Sequence, residues 1–435
     1  MTQRATAIFH TFGCKLNFAE TATVRDIFAT HGITDCPEGG VPDFIVVNSC
    51  SVTAEADRKC RSAIRNFHRR YPQAAIVLTG CYAQLKPAEA SLLPGVAVVA
   101  GVNDKLALAD MALDWLERRR RHTEVRPVAS LREFMPSCAR GDRTRFFLKV
   151  QDGCDYWCSY CTIPRARGRS RSGTIADIVA QAEAAAEAGG KEIVITGVNI
   201  GDFGAGRDDS LLDLCRELDK VEGIVRYRIS SIEPNLLTDD LIDFVASSRA
   251  FMPHFHIPLQ SGSDAVLALM RRRYDTALFA AKVGRIRSVL PDAFIGVDII
   301  AGARGETPEE FERSRSFVSS LDISRLHVFP YSERPGTRAL DIAGVVDQAE
   351  KHRRAAELGK VSAGKLAGFS GRFTGSVRPV LLEHSHANGH IGGFTDNYLR
   401  VSVDAPASAD NSIVDVRLGA YLPESESMEA SVVAR

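Results

Sequence analysis

The sequence carries no net charge, since its 435 residues hold 54 Lys and Arg against 54 Asp and Glu. That balance excludes a molecule whose whole surface is built for a polyanion, so any nucleic-acid face must be local. No apolar run reaches the roughly 18 residues that a membrane-spanning helix needs, and no leader pattern opens the chain. The expectation is a cytoplasmic protein without a membrane partner. No second Cys-x2-Cys pair or nearby His completes a zinc set, and the length does not suit a small disulfide-stapled secreted domain. The ten cysteines are therefore read as thiols in a reducing compartment. A 45% hydrophobic and 25% charged composition permits large cores, and the length suggests about three domains.

What the sequence does have is Cys154, Cys158 and Cys161 in the run Gln151-Asp-Gly-Cys-Asp-Tyr-Trp-Cys-Ser-Tyr-Cys. A four-iron cluster takes Cys thiolates as ligands and normally uses four. A tight set of three leaves one iron for a substrate or cofactor to complete.

The first third reads as an open parallel α/β domain, residues 1–120. Short β-branched runs at 5–12, 44–48 and 75–79 alternate with helical stretches at 20–31 and 58–70. Each run ends at or just before a cysteine: Cys14, Cys50 and Cys81. Loops at the carboxyl ends of parallel strands converge on one edge, where ligands bind. Three cysteines more than thirty residues apart are thereby candidates for a second metal cluster. Cys36, Cys60, Cys138 and Cys215 show no such pattern and read as core or incidental thiols.

Nine arginines between residues 118 and 145 mark an Arg-rich linker at 121–143, and Arg165, Arg167, Arg169 and Arg171 follow the cysteine run. Arginine binds phosphate through bidentate contacts and counterion release. Arg165, Arg167 and Arg171 are expected to contact RNA phosphate or a substrate carboxylate. Residues 144–366 repeat a strand-then-helix pattern, with strands at 146–150, 192–196, 226–230, 254–258, 295–300 and 325–329, which predicts a partial (β/α)6 TIM-type barrel. Chemistry in such barrels lies at the C-terminal ends of the strands. There Asn199, Glu233, Gln260 and Ser261 are candidates to bind a small cofactor through its hydroxyl, ammonium or carboxylate groups. Residues 367–435 read as a small β-barrel, with strands at 373–382, 390–394, 398–403 and 413–418.

The spacing of Cys154, Cys158 and Cys161, with Tyr160 before the last, resembles the signature of radical S-adenosylmethionine (SAM) enzymes. The three-part order resembles the methylthiotransferases: a three-cysteine domain, a radical SAM barrel and a TRAM barrel. Within them the resemblance runs to the bacterial tRNA enzymes that convert N6-threonylcarbamoyladenosine to its 2-methylthio derivative. It is carried by Thr196-Gly-Val-Asn-Ile-Gly-Asp-Phe-Gly, Ser230-Ser-Ile-Glu-Pro-Asn, Met270-Arg-Arg-Arg-Tyr-Asp and Pro330-Tyr-Ser-Glu-Arg-Pro-Gly-Thr, among other stretches. The resemblance implies two four-iron clusters. One, on Cys14, Cys50 and Cys81, would carry the sulfur to be donated, and one, on Cys154, Cys158 and Cys161, would bind and cleave SAM. It implies as partners a tRNA anticodon stem-loop, a low-potential electron donor and a sulfur source. The alternatives are methylthiolation of a ribosomal-protein aspartate or of isopentenyl-modified adenosine, and a non-catalytic RNA-binding protein with structural metal sites. Where the family has Gly-Phe-Pro-Gly-Glu-Thr, this chain has Gly302-Ala-Arg-Gly-Glu-Thr, so looser packing is expected in that loop.

Overall fold

A computed structural model describes residues 5–139, 144–385 and 390–433. Arg140 and Arg143 of the arginine run lie outside the described residues.

The amino-terminal sheet has six parallel strands in the order Ile33–Asp35, Ala5–Thr11, Phe44–Ser49, Ala75–Gly80, Val96–Ala100 and His122–Glu124. Phe44–Ser49 and Ala75–Gly80 are buried at every residue. They read as continuous apolar runs because helices cover both faces. Phe44, Val46 and Val77 pack with Val24 and Phe28 on one side, while Ile45, Val47 and Leu78 pack with Cys60 and Ile64 on the other. The sheet reaches Glu124, past the expected boundary at 120.

Barrel strands Arg145–Lys149, Glu192–Thr196 and Arg226–Ile229 pair in parallel, as do His254–Gln260, Phe294–Ala301 and Arg325–Pro330. Parallel bridges Tyr227 to Phe251 and Ser231 to His256 join the two sets into one six-stranded wall. All six expected strands are present within two residues, and one continuous core lines the wall and its helices. The helices start where short polar side chains offer an oxygen to an unpaired backbone N–H. Thr174, Ser210, Thr238, Asp275 and Thr307 accept from the N–H three residues on. The expected linker contains structure of its own, because Ser137–Cys138 adds an antiparallel strand beside Arg145–Lys149.

The helix Gln348–Gly371 runs through the expected boundary at 366 into a closed five-stranded barrel. Its fifth strand, Ser427–Val432, was not expected from the sequence. Arg226 donates to the carbonyls of Phe394 and Pro379, and Arg228 to those of Thr395 and Asp396, each at 2.8–2.9 Å. These bonds dock the small barrel on the wall.

The unusual Gly302–Thr307 loop is well packed, contrary to expectation. Arg304 bonds Glu333 at 2.7 Å and the carbonyl of Leu340 at 2.5 Å, and Ala303 is buried beside Val266 and Met270. The introduced charge supplies the fastening that a rigid Phe-Pro turn would provide.

Candidate active site

The cysteine loop leaves its strand at Gln151, whose amide is fully committed. Its Nε2 donates to the carbonyls of Asp152 and Gly153 and to Ser170, and its Oε1 accepts from the Val198 and Asn199 N–H groups. The start of the loop is thus tied to the end of the next strand. Its far side is held by Ser159 N–H to the Met270 carbonyl and Ala339 N–H to the Ser159 carbonyl.

Within this frame donors point at sulfur. Tyr156 N–H reaches Cys154 Sγ at 3.4 Å, Ile163 N–H reaches Cys161 Sγ at 3.4 Å, and Arg272 Nη1 reaches Cys158 Sγ at 2.9 Å. Burial pushes the Cys154 and Cys161 thiols up to about 12, and proximity of the other loop thiols adds to the rise. A cationic iron centre reverses exactly that penalty on the thiolate. Among the described residues no set of His, Cys, Asp or Glu closes around a single metal ion. A cubane binds each thiolate on a different iron, so its ligands stand further apart.

The second cysteine set also converges. Cys14 caps the helix Lys15–Thr30, Cys50 follows its strand and Cys81 opens the short helix Cys81–Leu85. Gly13, at φ +102°, lies so close that a β-carbon there would sit 2.6 Å from Cys50 Cβ. Gly80, at φ +94°, presses against Ser49 and Asn48 in the same way. These glycines let three strand ends meet. Burial raises the Cys50 thiol to about 12, with Cys81 and Cys14 contributing, and burial raises Cys81 as well. Cys60, Cys138 and Cys215 are buried in hydrophobic cores, as expected.

Of the four candidate cofactor residues, two are tied to the cysteine loop, Glu233 through Arg272 and Asn199 through Gln151. Glu233 pairs with Arg272, and burial lifts its carboxyl to about 7 against that guanidinium. Asn199 is 3% exposed, and its Oδ1 is buried without a hydrogen-bond partner among the described residues. Such an orphan acceptor suits a ligand donor. Gln260 holds a left-handed backbone at φ +69°. Ser261 is fully buried and its hydroxyl accepts from Ser263 N–H, a bond within the turn.

Two of the three expected RNA-contacting arginines are likewise committed elsewhere. Arg167 is 1% exposed and bonds Glu20, Asp152 and Asn17 at 2.7–3.0 Å. Arg171 spends its donors on Asp152, Asn103 and three backbone carbonyls. Only Arg165 is exposed, lying along Gly336 with one bond to the Pro335 carbonyl. Sequence reasoning missed Arg272, whose signal was the strongly basic Met270-Arg-Arg-Arg turn, with Arg271 at φ +58°.

Arg167 belongs to a buried network that locks the first domain to the barrel. Glu20, on the helix that Cys14 caps, pairs with Lys105, with Lys149 at 2.8 Å and with Arg167 at 3.0 Å. Asp152 pairs with Lys149 and Arg167 at 2.9 Å. Burial alone would raise both carboxyls, but Arg167 and the lysines outweigh it and hold them below the usual range. A second lock joins Arg334 Nη2 to Ser51 at 2.8 Å and to Asp57 at 2.9 Å, next to Cys50.

Comparison with known proteins agrees with this layout. Residues 6–101 match a model described as uncharacterized protein family UPF0004, and residues 148–318 match the radical SAM superfamily. The threonylcarbamoyladenosine tRNA methylthiotransferase MtaB of Bacillus subtilis is 36% identical over 99% of this chain and 97% of its own. The enzyme of the same name from Thermotoga maritima is 36% identical over 91% and 90%. A tRNA-2-methylthio-N(6)-dimethylallyladenosine synthase of Syntrophotalea carbinolica is 31% identical over 94% and 95%. Among solved structures, the radical SAM methyltransferase TsrM of Kitasatospora setae superposes with a TM-score of 0.56 at 15% identity. It covers 75% of this chain and 73% of its own, a likeness of fold alone. Two convergent cysteine sets on a parallel α/β domain and a six-stranded barrel, with relatives matched over nearly the full length, place the chain in the radical SAM tRNA methylthiotransferase family.

Proposed function

We propose that this chain methylthiolates C2 of N6-threonylcarbamoyladenosine at position 37 of tRNA, with SAM and two four-iron clusters as cofactors. The observation that carries the reading is the pair of cysteine sets on two domains locked together by Glu20 and Arg334. The substrate branch is supported by relatives named for threonylcarbamoyladenosine at 34–36% identity, against 31% for those named for dimethylallyladenosine. Cys154, Cys158 and Cys161 would hold the SAM-binding cluster, and Cys14, Cys50 and Cys81 the sulfur-carrying one. When bound, these groups supply a low-potential electron, a radical and a transferable sulfur, chemistry that no side chain offers an unactivated aromatic C–H. The chain's own part is to fix its thiolates with directed donors, to place Asn199 and Glu233 for SAM, and to set the two cysteine sets in register. The reaction needs an electron donor and a sulfur source, and its setting is the cytoplasm.

The test is anaerobic reconstitution followed by addition of SAM, reductant and tRNA carrying either threonylcarbamoyl- or isopentenyl-adenosine. The reading expects about eight irons per chain and a 2-methylthio nucleoside from the threonylcarbamoyl substrate. A thiolated product from the isopentenyl tRNA alone would overturn the branch.

The RNA face follows from what is exposed beside the cysteine loop. Trp157 is 50% exposed at φ +52°, a strained backbone for a bulky residue. It borders a cleft of about 550 Å³ with Arg132, Arg165 and Arg169. An aromatic ring ringed by cations is a stacking platform for an unpaired base. Trp157→Ala is expected to weaken stem-loop binding by about 1–3 kcal/mol. Arg165→Glu is expected to weaken it and to flatten the salt dependence by about one phosphate contact. Titration of a labelled anticodon stem-loop at several salt concentrations reads both. Full affinity with an unchanged slope in either variant would remove that residue from the interface.

A further inference from the structure

A second cavity, of about 520 Å³, lies away from the cysteine loop. It lies inside the partial barrel toward the starts of the strands, bounded by His254, Gly296 and Arg325 and by Phe394 and Tyr398 of the small barrel. Active sites of such barrels occupy the opposite ends of the strands. What ties this cavity to the chemistry is Lys15, which lines it and directly follows Cys14 in the chain.

The polar groups around the cavity are mostly paired. Arg145 is held by Glu383 at 2.8 Å and Tyr398 at 3.1 Å, Arg325 by Glu426 at 2.6 Å, and His256 by Asp298 at 2.7 Å. Three are not: Lys15 and His327 have no hydrogen bond or ion pair among the described residues, His327 only stacking on His256, and the Nδ1 of His254, a side chain 6% exposed, is buried without a partner. A cavity that holds an unpaired ammonium and an unmet imidazole nitrogen is incomplete as it stands, because each costs free energy when desolvated alone. A ligand carrying an anion and a hydrogen-bonding group completes it.

We propose that this cavity receives the amino-acid substituent on N6 of the substrate base, with Lys15 as counter-ion to its carboxylate and His254 as a second polar contact. The proposal rests on the threonylcarbamoyladenosine reading above and names the residues that recognise that side chain. In the adenine ring only N1 separates C2 from the carbon that bears N6. A group on N6 therefore lies within a few ångströms of the reacting carbon, as Lys15 lies beside a cysteine assigned to the sulfur-carrying cluster. Discrimination follows from the same geometry. An isopentenyl group would leave the half-buried Lys15 unpaired, and a site built for a polar partner rejects an analogue that lacks it more strongly than an apolar pocket rejects an added group.

The test is equilibrium binding of three anticodon stem-loops that differ only at position 37: threonylcarbamoyladenosine, its carboxamide and isopentenyladenosine. The protein is wild type, Lys15→Gln and His254→Phe, each checked by thermal unfolding. Wild type should prefer the acid to the carboxamide by about 10²-fold or more. Lys15→Gln should reduce that preference to within a few-fold, by weakening the acid and sparing the carboxamide. His254→Phe should weaken both threonine-bearing ligands and leave the isopentenyl one unchanged. Equal loss on acid and carboxamide in Lys15→Gln would overturn the cavity assignment while leaving the substrate reading intact. Wild-type preference for the isopentenyl stem-loop would overturn the substrate reading itself.

Discussion

Cys158→Ala should abolish SAM cleavage while the protein keeps about four irons, and Cys14→Ala should keep about four irons with SAM cleavage intact. In Cys158→Ala the barrel set loses the ligand that Arg272 Nη1 contacts at 2.9 Å, and that guanidinium remains paired with Glu233. Deoxyadenosine formation and methylthio product should both fall by at least about 10³-fold, equivalent to about 4 kcal/mol of barrier. Cys14→Ala acts on the other domain. Cys50 and Cys81 keep their strand-end positions, where Gly13 lies against Cys50 and Gly80 against Ser49 and Asn48, but two thiolates do not hold a cluster that three were arranged to hold. That variant should still cleave SAM on reduction and release deoxyadenosine, yet form no methylthio nucleoside. Iron and sulfide counts, electron paramagnetic resonance of the reduced proteins and product chromatography separate the two cases. If Cys14→Ala retained eight irons and full product yield, Cys14 would be an ordinary helix-capping residue, and the sulfur-donating role of the first domain would fall with it.

The cysteine loop and the three strand-end cysteines were legible because both rest on local rules: a ligand spacing, and the habit of parallel strands to gather their carboxyl ends. Arg167 was misread because its fate depends on Glu20, 147 residues away. A basic residue beside a metal site reads as a phosphate ligand until the partner that buries it is known. Ser261 is tied locally instead, since its hydroxyl accepts from the N–H of Ser263, two residues on. Edge strands such as Ser137–Cys138 and His122–Glu124 have two and three residues, too few for any periodicity. The Gly302–Thr307 loop shows that a lost Phe-Pro can be replaced by a side chain whose acceptors lie 29 to 38 residues further on.

The burial of Arg167 changes what the arginine cluster is for, and gives the second large effect. Glu20→Gln should destabilise docking of the first domain by about 3–5 kcal/mol, the usual cost of removing one partner from a buried ionic set. With the carboxylate gone, buried Lys105 loses its ion-pair partner, Lys149 and Arg167 share only Asp152, and Arg167 keeps a neutral acceptor in Asn17. The helix Lys15–Thr30 that carries Glu20 also presents Cys14, so weaker docking moves the sulfur-carrying set away from the radical-generating one. The variant should therefore cleave SAM with reduced coupling to product, and protease should cut near the junction between the domains before the barrel unfolds. Acid should expose the same interaction in the wild type. Glu20 and Asp152 are held below their ordinary values when folded, so their stabilisation is complete above the unfolded carboxylate pKa values of about 4. It is lost only as pH falls below that, toward the depressed folded values. Thermal unfolding followed from pH 7 downward should show a steep acid limb in the wild type and a flatter one in Glu20→Gln. Identical acid limbs, or a midpoint unchanged at pH 7, would mean that the network is offset by the cost of burying its charges and does not hold the domains together.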